Sequence, residues 1–113
     1  MYQRSRHIVD FCIAGFRYWD GAEVAGELQI GDSLELLLEA GNPFDEYAVA
    51  LLFRDKKVGY IPRAINESIS QMLYFGHHIY EAVISQIDLT ADPSRQVRVA
   101  VKVKDLRDDN PQG

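Results

Sequence analysis

Hydrophobic and polar residues alternate along parts of this chain with the two-residue period of a β-strand. In the segment 33–39 (SLELLLE), Leu34, Leu36 and Leu38 fall on one face, while the other face carries two glutamates. In the segment 97–104, valines at every second position alternate with mostly basic residues. Both patterns predict strands with one buried face and one face in water.

Four further strands are indicated by apolar runs rich in β-branched and aromatic residues. These runs occupy residues 8–16 (IVDFCIAGF), 47–53 (YAVALLF), 58–61 (VGYI) and 79–89 (IYEAVISQIDL). The polar stretch 54–57 predicts the connection of a hairpin between the second and third runs.

One amphipathic helix is predicted over residues 64–75, where apolar residues recur at spacings of four, seven and eight. Pro62 ends the preceding strand, and Gly76 favours a left-handed helix cap. Six short strands without a repeating strand-helix-strand order indicate a mainly β fold. We therefore expect a small six-stranded β-barrel of the OB or SH3-like type, with one or two short helices.

Length and composition favour one folded domain. The chain has 113 residues, of which 47% are hydrophobic and 26% charged, as in ordinary globular proteins. We expect an N-terminal extension over residues 1–7, a barrel domain over 8–104 and a flexible tail over 105–113. The sequence predicts no signal peptide or membrane-spanning segment, and a single cysteine, Cys12, cannot form an internal disulfide. A cytoplasmic protein without a membrane partner is expected.

Charge is distributed unevenly along the chain, whose formal net charge is −5. Between Tyr18 and Phe53 there are eight acidic residues and no lysine or arginine. This distribution argues against broad, charge-driven coating of nucleic acid, which requires many basic side chains. A small, local binding site for phosphates remains compatible with it.

Catalytic and metal-binding patterns are absent from the sequence. It lacks the common nucleophile, zinc-protease and phosphate-loop motifs. His77 and His78 are adjacent, so on a strand they would point to opposite faces and could not chelate one ion. We expect a protein that is not an enzyme, with no metal and no cofactor.

Aromatic residues concentrate in three short segments, GFRYWDG (15–21), GNPFDEYAV (41–49) and VGYIPR (58–63). A turn requires Asn, Pro or Asp, but it does not require Phe44 between Pro43 and Asp45. Phe44 either folds back onto the core or belongs to a binding rim, and local sequence leaves both alternatives open. Arg17 beside Tyr18 would suit a phosphate next to a stacked base.

The segments AGFRYWDG (14–21), NPFDEYAVAL (42–51) and VGYIPRAI (58–65), in this order, resemble the HIRAN domain. This module occurs at the N-terminus of some fork-remodelling DNA translocases and as stand-alone bacterial chains. The similarity spans about residues 8–104, and the OB-related barrel of the family agrees with the strand pattern. This chain departs from the family at Leu38 and Ala40, where Arg and Pro are common, and at Phe44, where Tyr is usual.

The resemblance implies recognition of the 3′ end of single-stranded DNA, in DNA repair or stalled-fork processing. Seven residues would take part: Arg17 and Arg63 on phosphates, Tyr18 and Phe44 stacked on the terminal base, Asn42 and Tyr60 on polar groups, and Asp45 accepting a hydrogen bond from the 3′-hydroxyl. A hydroxyl can donate to the Asp45 carboxylate, whereas a phosphodiester would repel it.

An alternative is a protein-interaction or assembly module that uses the same barrel rim or a strand edge, with weak or no DNA binding. The net negative charge and the lack of a continuous basic stripe favour it. A DNA-processing protein is one partner that this alternative suggests.

Overall fold

The structure, a computed structural model, describes residues 6–104, and only the backbone of residues 6 and 7. Six strands form its main body: β1 (Arg6–Cys12), β2 (Ser33–Leu38), β3 (Val49–Phe53), β4 (Lys56–Tyr60), β5 (Tyr80–Ile87) and β6 (Val97–Val103). Their order is β1-β6-β5-β2-β3-β4, and neighbouring strands are antiparallel. The predicted mainly β, six-stranded fold is confirmed. Residues 1–5 of the expected extension and the expected tail, 105–113, lie outside the described residues.

The sheet curls into a half-barrel because its two halves, β1-β6-β5 and β3-β4, pair with different parts of β2. The first half of β2 pairs with β5 at Ser33 and Leu34. The second half pairs with β3 from Glu35 to Leu38. A strand that changes partner in this way bends the sheet, as in barrels of the OB type.

A backbone bridge between Ala14 and Tyr60 joins the chain after β1 to the opposite edge of the sheet. The N–H of each residue donates to the carbonyl oxygen of the other at 2.9 Å. Gly59 makes this approach possible, because a Cβ there would lie 2.4 Å from the Ala14 oxygen, and its φ of 146° is unfavourable for other residues. The glycine of the VGYIPR segment therefore has a packing role.

The core lies inside the curled sheet and under the longer helix. Its fully buried members include Ile13, Leu51, Ile61, Ile69 and Ile84. The predicted alternation in β2 is observed, with Leu34 buried and its glutamate neighbour exposed. In β6, Val97, Val99 and Val101 are likewise buried, and Ala100 on the other face is buried as well.

Two α-helices are present in the described chain, α1 (Gly21–Val24) and α2 (Glu67–Tyr74). The predicted helix over 64–75 is thus shorter, because a separate 3-10 turn, Arg63–Ile65, precedes it. Gly76 has the predicted left-handed conformation, with φ 85°. The helix packs Ile69 and Leu73 into the core, which fixes the position of the segments at either end.

Several predicted strands have different boundaries in the structure, since 47–53 is observed as Val49–Phe53 and 79–89 as Tyr80–Ile87, and two of the changes have a backbone cause. Strand β1 ends at Cys12 rather than continuing to residue 16, because Gly15 (φ 74°) turns the chain into a 3-10 helix, Phe16–Tyr18. The connection between β3 and β4 is shorter than residues 54–57, since Arg54 and Asp55 alone form the turn, both with positive φ. Paired positive φ values are typical of the tight turns that match strand twist.

Candidate nucleic-acid interface

Phe16 anchors the first aromatic segment by burying its ring in the core. The residues that follow it in the 3-10 turn point outward, and Tyr18 is 81% exposed. Arg17 and Tyr18 border a cavity of about 160 Å³ opposite the turn that contains Asp92. Hydrogen bonds from the backbone and hydroxyl of Ser94 lower the pKa of Asp92, and the charges of Arg95 and then Arg17 contribute. The turn therefore stays anionic beside this arginine.

The loop that carries Phe44 is held by the Asn42 side chain. Asn42 Oδ1 accepts hydrogen bonds from the backbone N–H groups of Phe44 at 2.8 Å and Asp45 at 3.2 Å. This side-chain-to-backbone turn leaves the Phe44 ring 82% exposed. The alternative in which Phe44 folds back onto the core is therefore wrong.

Asp45 is fixed by two hydrogen bonds from the protein. Its Oδ1 accepts from the Tyr47 N–H at 3.0 Å, and its Oδ2 accepts from Asn66 Nδ2 at 2.8 Å. Asn66 is only 1% exposed, so it is a rigid support. A carboxylate oxygen can accept more than one hydrogen bond, so the half-buried Asp45 can also accept one from a ligand.

Tyr60 belongs to a cluster with Trp19, Glu39 and Lys57, which we call the lysine cluster. The Tyr60 hydroxyl donates to Glu39 Oε1 at 2.8 Å and accepts from Lys57 Nζ at 2.9 Å. Lys57 Nζ lies 2.6 Å from Glu39 Oε2 and 4.2 Å from the centre of the Trp19 ring. Asn42 Nδ2 also donates to Glu39, so this cluster connects all three aromatic segments.

Electrostatics in the lysine cluster favour the ionised pair. Burial acts to raise the pKa of Glu39, but hydrogen bonds from Lys57, Tyr60 and Asn42 outweigh it, and the pKa is lowered. Burial acts to lower the pKa of Lys57, but Glu39 and Tyr60 outweigh it, and the pKa is raised. Both groups are therefore charged near neutral pH.

Only some of the basic side chains are available to an anion. Arg17 and Arg63 are exposed, and neither makes a hydrogen bond or ion pair among the described residues. Arg98 pairs with Asp10, while Lys102 lies further along the same strand. Arg17 and Arg63 thus place available arginines in the first and third aromatic segments, and Arg95, likewise exposed, lies in the turn beside Asp92.

Two other basic residues are paired with the acidic segment around α1. Arg54 binds Glu27 at 3.2 Å, and Lys56 binds Glu23 at 3.1 Å. These pairs offset part of the acidic charge between Tyr18 and Phe53. They link α1 and the 3-10 turn that follows it, Ala25–Glu27, to the β3–β4 hairpin at the surface.

The structure brings together only some of the seven residues that the sequence predicts for DNA binding. Asn42 and Tyr60 are both bonded to Glu39, and Asp45 is tied to Asn66, three positions after Arg63. Tyr18 and Phe44 are exposed on their own segments, and among the described residues no contact joins their rings.

Four residues were missed from the sequence: Trp19, Glu39, Lys57 and Asn66. Asn66 precedes a helix and so is typical of an N-cap, yet its side chain makes no capping bond and supports Asp45 instead. Glu39 and Lys57 had no signal beyond their charge, because only the fold sets them side by side.

No three His, Cys, Asp or Glu side chains within the described residues are grouped so as to hold a metal ion. No helix in that part of the chain is both long and apolar enough to span a membrane.

Similarity to known structures agrees with this architecture. A crystal structure of a protein from Lactobacillus plantarum matches with a TM-score of 0.74 and 20% identity, over 88% of this chain and 94% of that one. The crystal structure of the HIRAN domain of human HLTF matches with a TM-score of 0.61 and 14% identity, over 88% and 80%. At these identities the likeness shows the fold.

Sequence comparison provides the family. A search among curated proteins finds no significant match. The model of the HIRAN domain matches residues 8–104, a range that includes all three aromatic segments and nearly the whole chain. The protein therefore belongs to the HIRAN domain family.

Proposed function

We propose that this protein is a cytoplasmic, non-catalytic module that binds the 3′-hydroxyl end of single-stranded DNA. HIRAN domains are known as DNA-binding modules. The observation that carries the proposal is the pairing of an exposed ring, Phe44, with a carboxylate, Asp45, that the fold holds in place. Free 3′ ends occur in DNA repair and at stalled forks, so the proposal includes a role for the protein in these processes.

Stacking would supply most of the affinity. The Tyr18 and Phe44 rings are more than four-fifths exposed, which leaves their faces open to a base. Each base stacked on an aromatic ring contributes about 1–3 kcal/mol. Because every base has such a face, this contribution favours single strands without strong sequence preference.

Asp45 would distinguish a strand end from a continuous strand. A 3′-hydroxyl can donate to a carboxylate oxygen, whereas a phosphate at the same position places two negative charges together. Asn66 and the Tyr47 N–H keep the carboxylate in one orientation. The position of the acceptor is therefore set before the ligand arrives, which reduces the entropic cost of binding.

Arg17 and Arg63 would contact the phosphates near the end. Neither guanidinium group makes an ion pair among the described residues, and the negative charge nearest to Arg17 there is that of the Asp92 turn. Two phosphate contacts release few counterions, so the dependence of affinity on salt should be shallow beside that of proteins that coat DNA. Asn42 and Tyr60 would contact polar groups of the last nucleotide.

The test is fluorescence anisotropy at low salt with a labelled short single strand ending in either a 3′-hydroxyl or a 3′-phosphate. We expect tighter binding to the hydroxyl end, and we expect Asp45→Asn to reduce the ratio of the two affinities. Tyr18→Ala and Phe44→Ala should each weaken binding to both strands by about tenfold, corresponding to one stacked base.

Matched controls come from exposed residues elsewhere. Tyr74→Ala removes an exposed ring from α2, and Glu81→Gln removes an exposed carboxylate from β5. Both should leave DNA binding unchanged. Equal binding of both strand ends by the unmodified chain, or an unchanged ratio in Asp45→Asn, would show that the end-recognition proposal is wrong.

A further inference from the structure

A second cavity, of about 310 Å³, lies between α2 and the segment that follows β2. We call it the aromatic groove, and its principal lining residues are Leu38, Ala40, Glu46, Tyr47, Tyr74 and Phe75. None of the seven residues proposed for DNA binding lines it. Its volume is at the lower end of the range found for ligand pockets.

Two exposed rings form one side of the groove. Tyr74 is 66% exposed and Phe75 is 70% exposed, and their rings meet edge to face with centres 5.1 Å apart. Ile69 and Leu73 occupy the core-facing side of α2, so these two rings are left in water. Adjacent exposed aromatics of this kind are typical of surfaces that bind another molecule.

The charge around the groove is negative. Glu46 lines it, and no lysine or arginine does. The charges of Glu46 and then Glu67 raise the pKa of the nearby Tyr47 hydroxyl. Negative potential disfavours a phosphate backbone and favours a cation, which tyrosine and phenylalanine rings also attract.

We propose that the aromatic groove binds a partner protein through a short segment that combines apolar side chains with lysine or arginine. The apolar side chains would pack on Tyr74, Phe75 and Leu38. A basic side chain would lie beside Glu46 and against the Tyr47 ring. This charge complementarity selects a basic peptide over an acidic one, and it makes the groove a docking site separate from the proposed DNA interface.

The test begins with random peptides of about twelve residues displayed on phage and selected against the full chain. The double variant Tyr74→Ser with Phe75→Ser serves as the counter-target, and both positions are exposed, so the fold should be retained. We expect enriched sequences that pair aliphatic or aromatic residues with lysine or arginine. Enrichment of acidic sequences, or none beyond the counter-target, would overturn the proposal.

A synthetic peptide from the selection is then titrated by fluorescence anisotropy. Tyr74→Ser and Glu46→Lys should each weaken its binding at least tenfold, while Tyr18→Ala, an exposed ring of the DNA interface, should not change it. An unchanged affinity in Glu46→Lys would refute the charge argument.

Self-association is tested by sedimentation of the full chain at increasing concentration. Dimers that disappear in Tyr74→Ser would assign the groove to a second copy and overturn the proposed basic partner. Because Tyr74→Ser should leave DNA binding intact, failure of either function can be recognised separately.

Discussion

Replacing Glu39 by glutamine tests the ion pair at the centre of the lysine cluster. The glutamine side chain would keep an oxygen able to accept from Tyr60 and Asn42, so the change removes mainly the charge next to Lys57. Lys57 Nζ and Glu39 Oε2 are 2.6 Å apart, and the two side chains are 24% and 22% exposed. The variant therefore measures how much one short, largely buried ion pair contributes to the free energy of unfolding.

The magnitude follows from the burial of the pair. Exposed ion pairs contribute at most about 1 kcal/mol, whereas breaking a fully buried pair costs about 3–5 kcal/mol. A pair that is largely buried should lie between these limits. We expect Glu39→Gln to lower the free energy of unfolding by about 2 kcal/mol at neutral pH.

The loss should depend on pH in a defined direction. The pKa of Glu39 is lower in the folded protein than its ordinary value of 4.5. A group with a lowered folded pKa stabilises the fold above its unfolded pKa, and this contribution is lost as pH falls through the folded pKa. The difference between the two proteins should therefore be constant near neutral pH and shrink on acidification below 4.5.

The assay is urea unfolding of both proteins at a series of pH values from about 7 to about 2. Glu35→Gln is the matched control, because Glu35 is exposed and lies on β2, which ends one residue before Glu39. In a Lys57→Met background, Glu39→Gln should have a much smaller effect. A loss of stability that stays the same at all pH values would refute the ion-pair argument.

Two other substitutions test how the fold supports the interface. Gly59→Ala should cost about 3 kcal/mol or more in urea unfolding, because its Cβ would clash with the Ala14 oxygen, whereas Gly26→Ala, which meets no atom within 4 Å, should change stability little. An equal effect of both would contradict the proposed packing role. Asn66→Leu should lower the melting temperature by roughly 10 °C through loss of a buried bond to a carboxylate, measured by calorimetry. It should also reduce the preference for a 3′-hydroxyl, and an unchanged preference would show that Asn66 does not position Asp45.

The alternation of hydrophobic and polar residues predicted the strands well, because a strand with one buried face has an apolar side chain at every second position. The valines of β6 and the leucines of β2 show this directly. The predicted strand boundaries were less accurate where a residue with positive φ turns the backbone. Gly15 ends the first strand early, and Arg54 with Asp55 shortens the hairpin turn, because the positive φ values of these residues set where the backbone turns.

The three aromatic segments identified the candidate interface, yet the contacts within it could not be predicted. The family resemblance supplied the seven proposed residues and their order along the chain. It did not show that Lys57 is neutralised by Glu39, or that Asn66 supports Asp45. These contacts join residues 18 and 21 positions apart, so no local rule links them.

The sequence by itself determined the class of fold, the number of strands and the family, because these depend on short-range periodicity and on ordered motifs. The tertiary structure decided which rings are buried and which remain in water. Phe16 and Phe44 have the same side chain, but one fills the core and the other is held outward by the Asn42 turn. Burial depends on how the curled sheet closes around its core, and that closure depends on contacts between distant segments, such as the bridge from Ala14 to Tyr60.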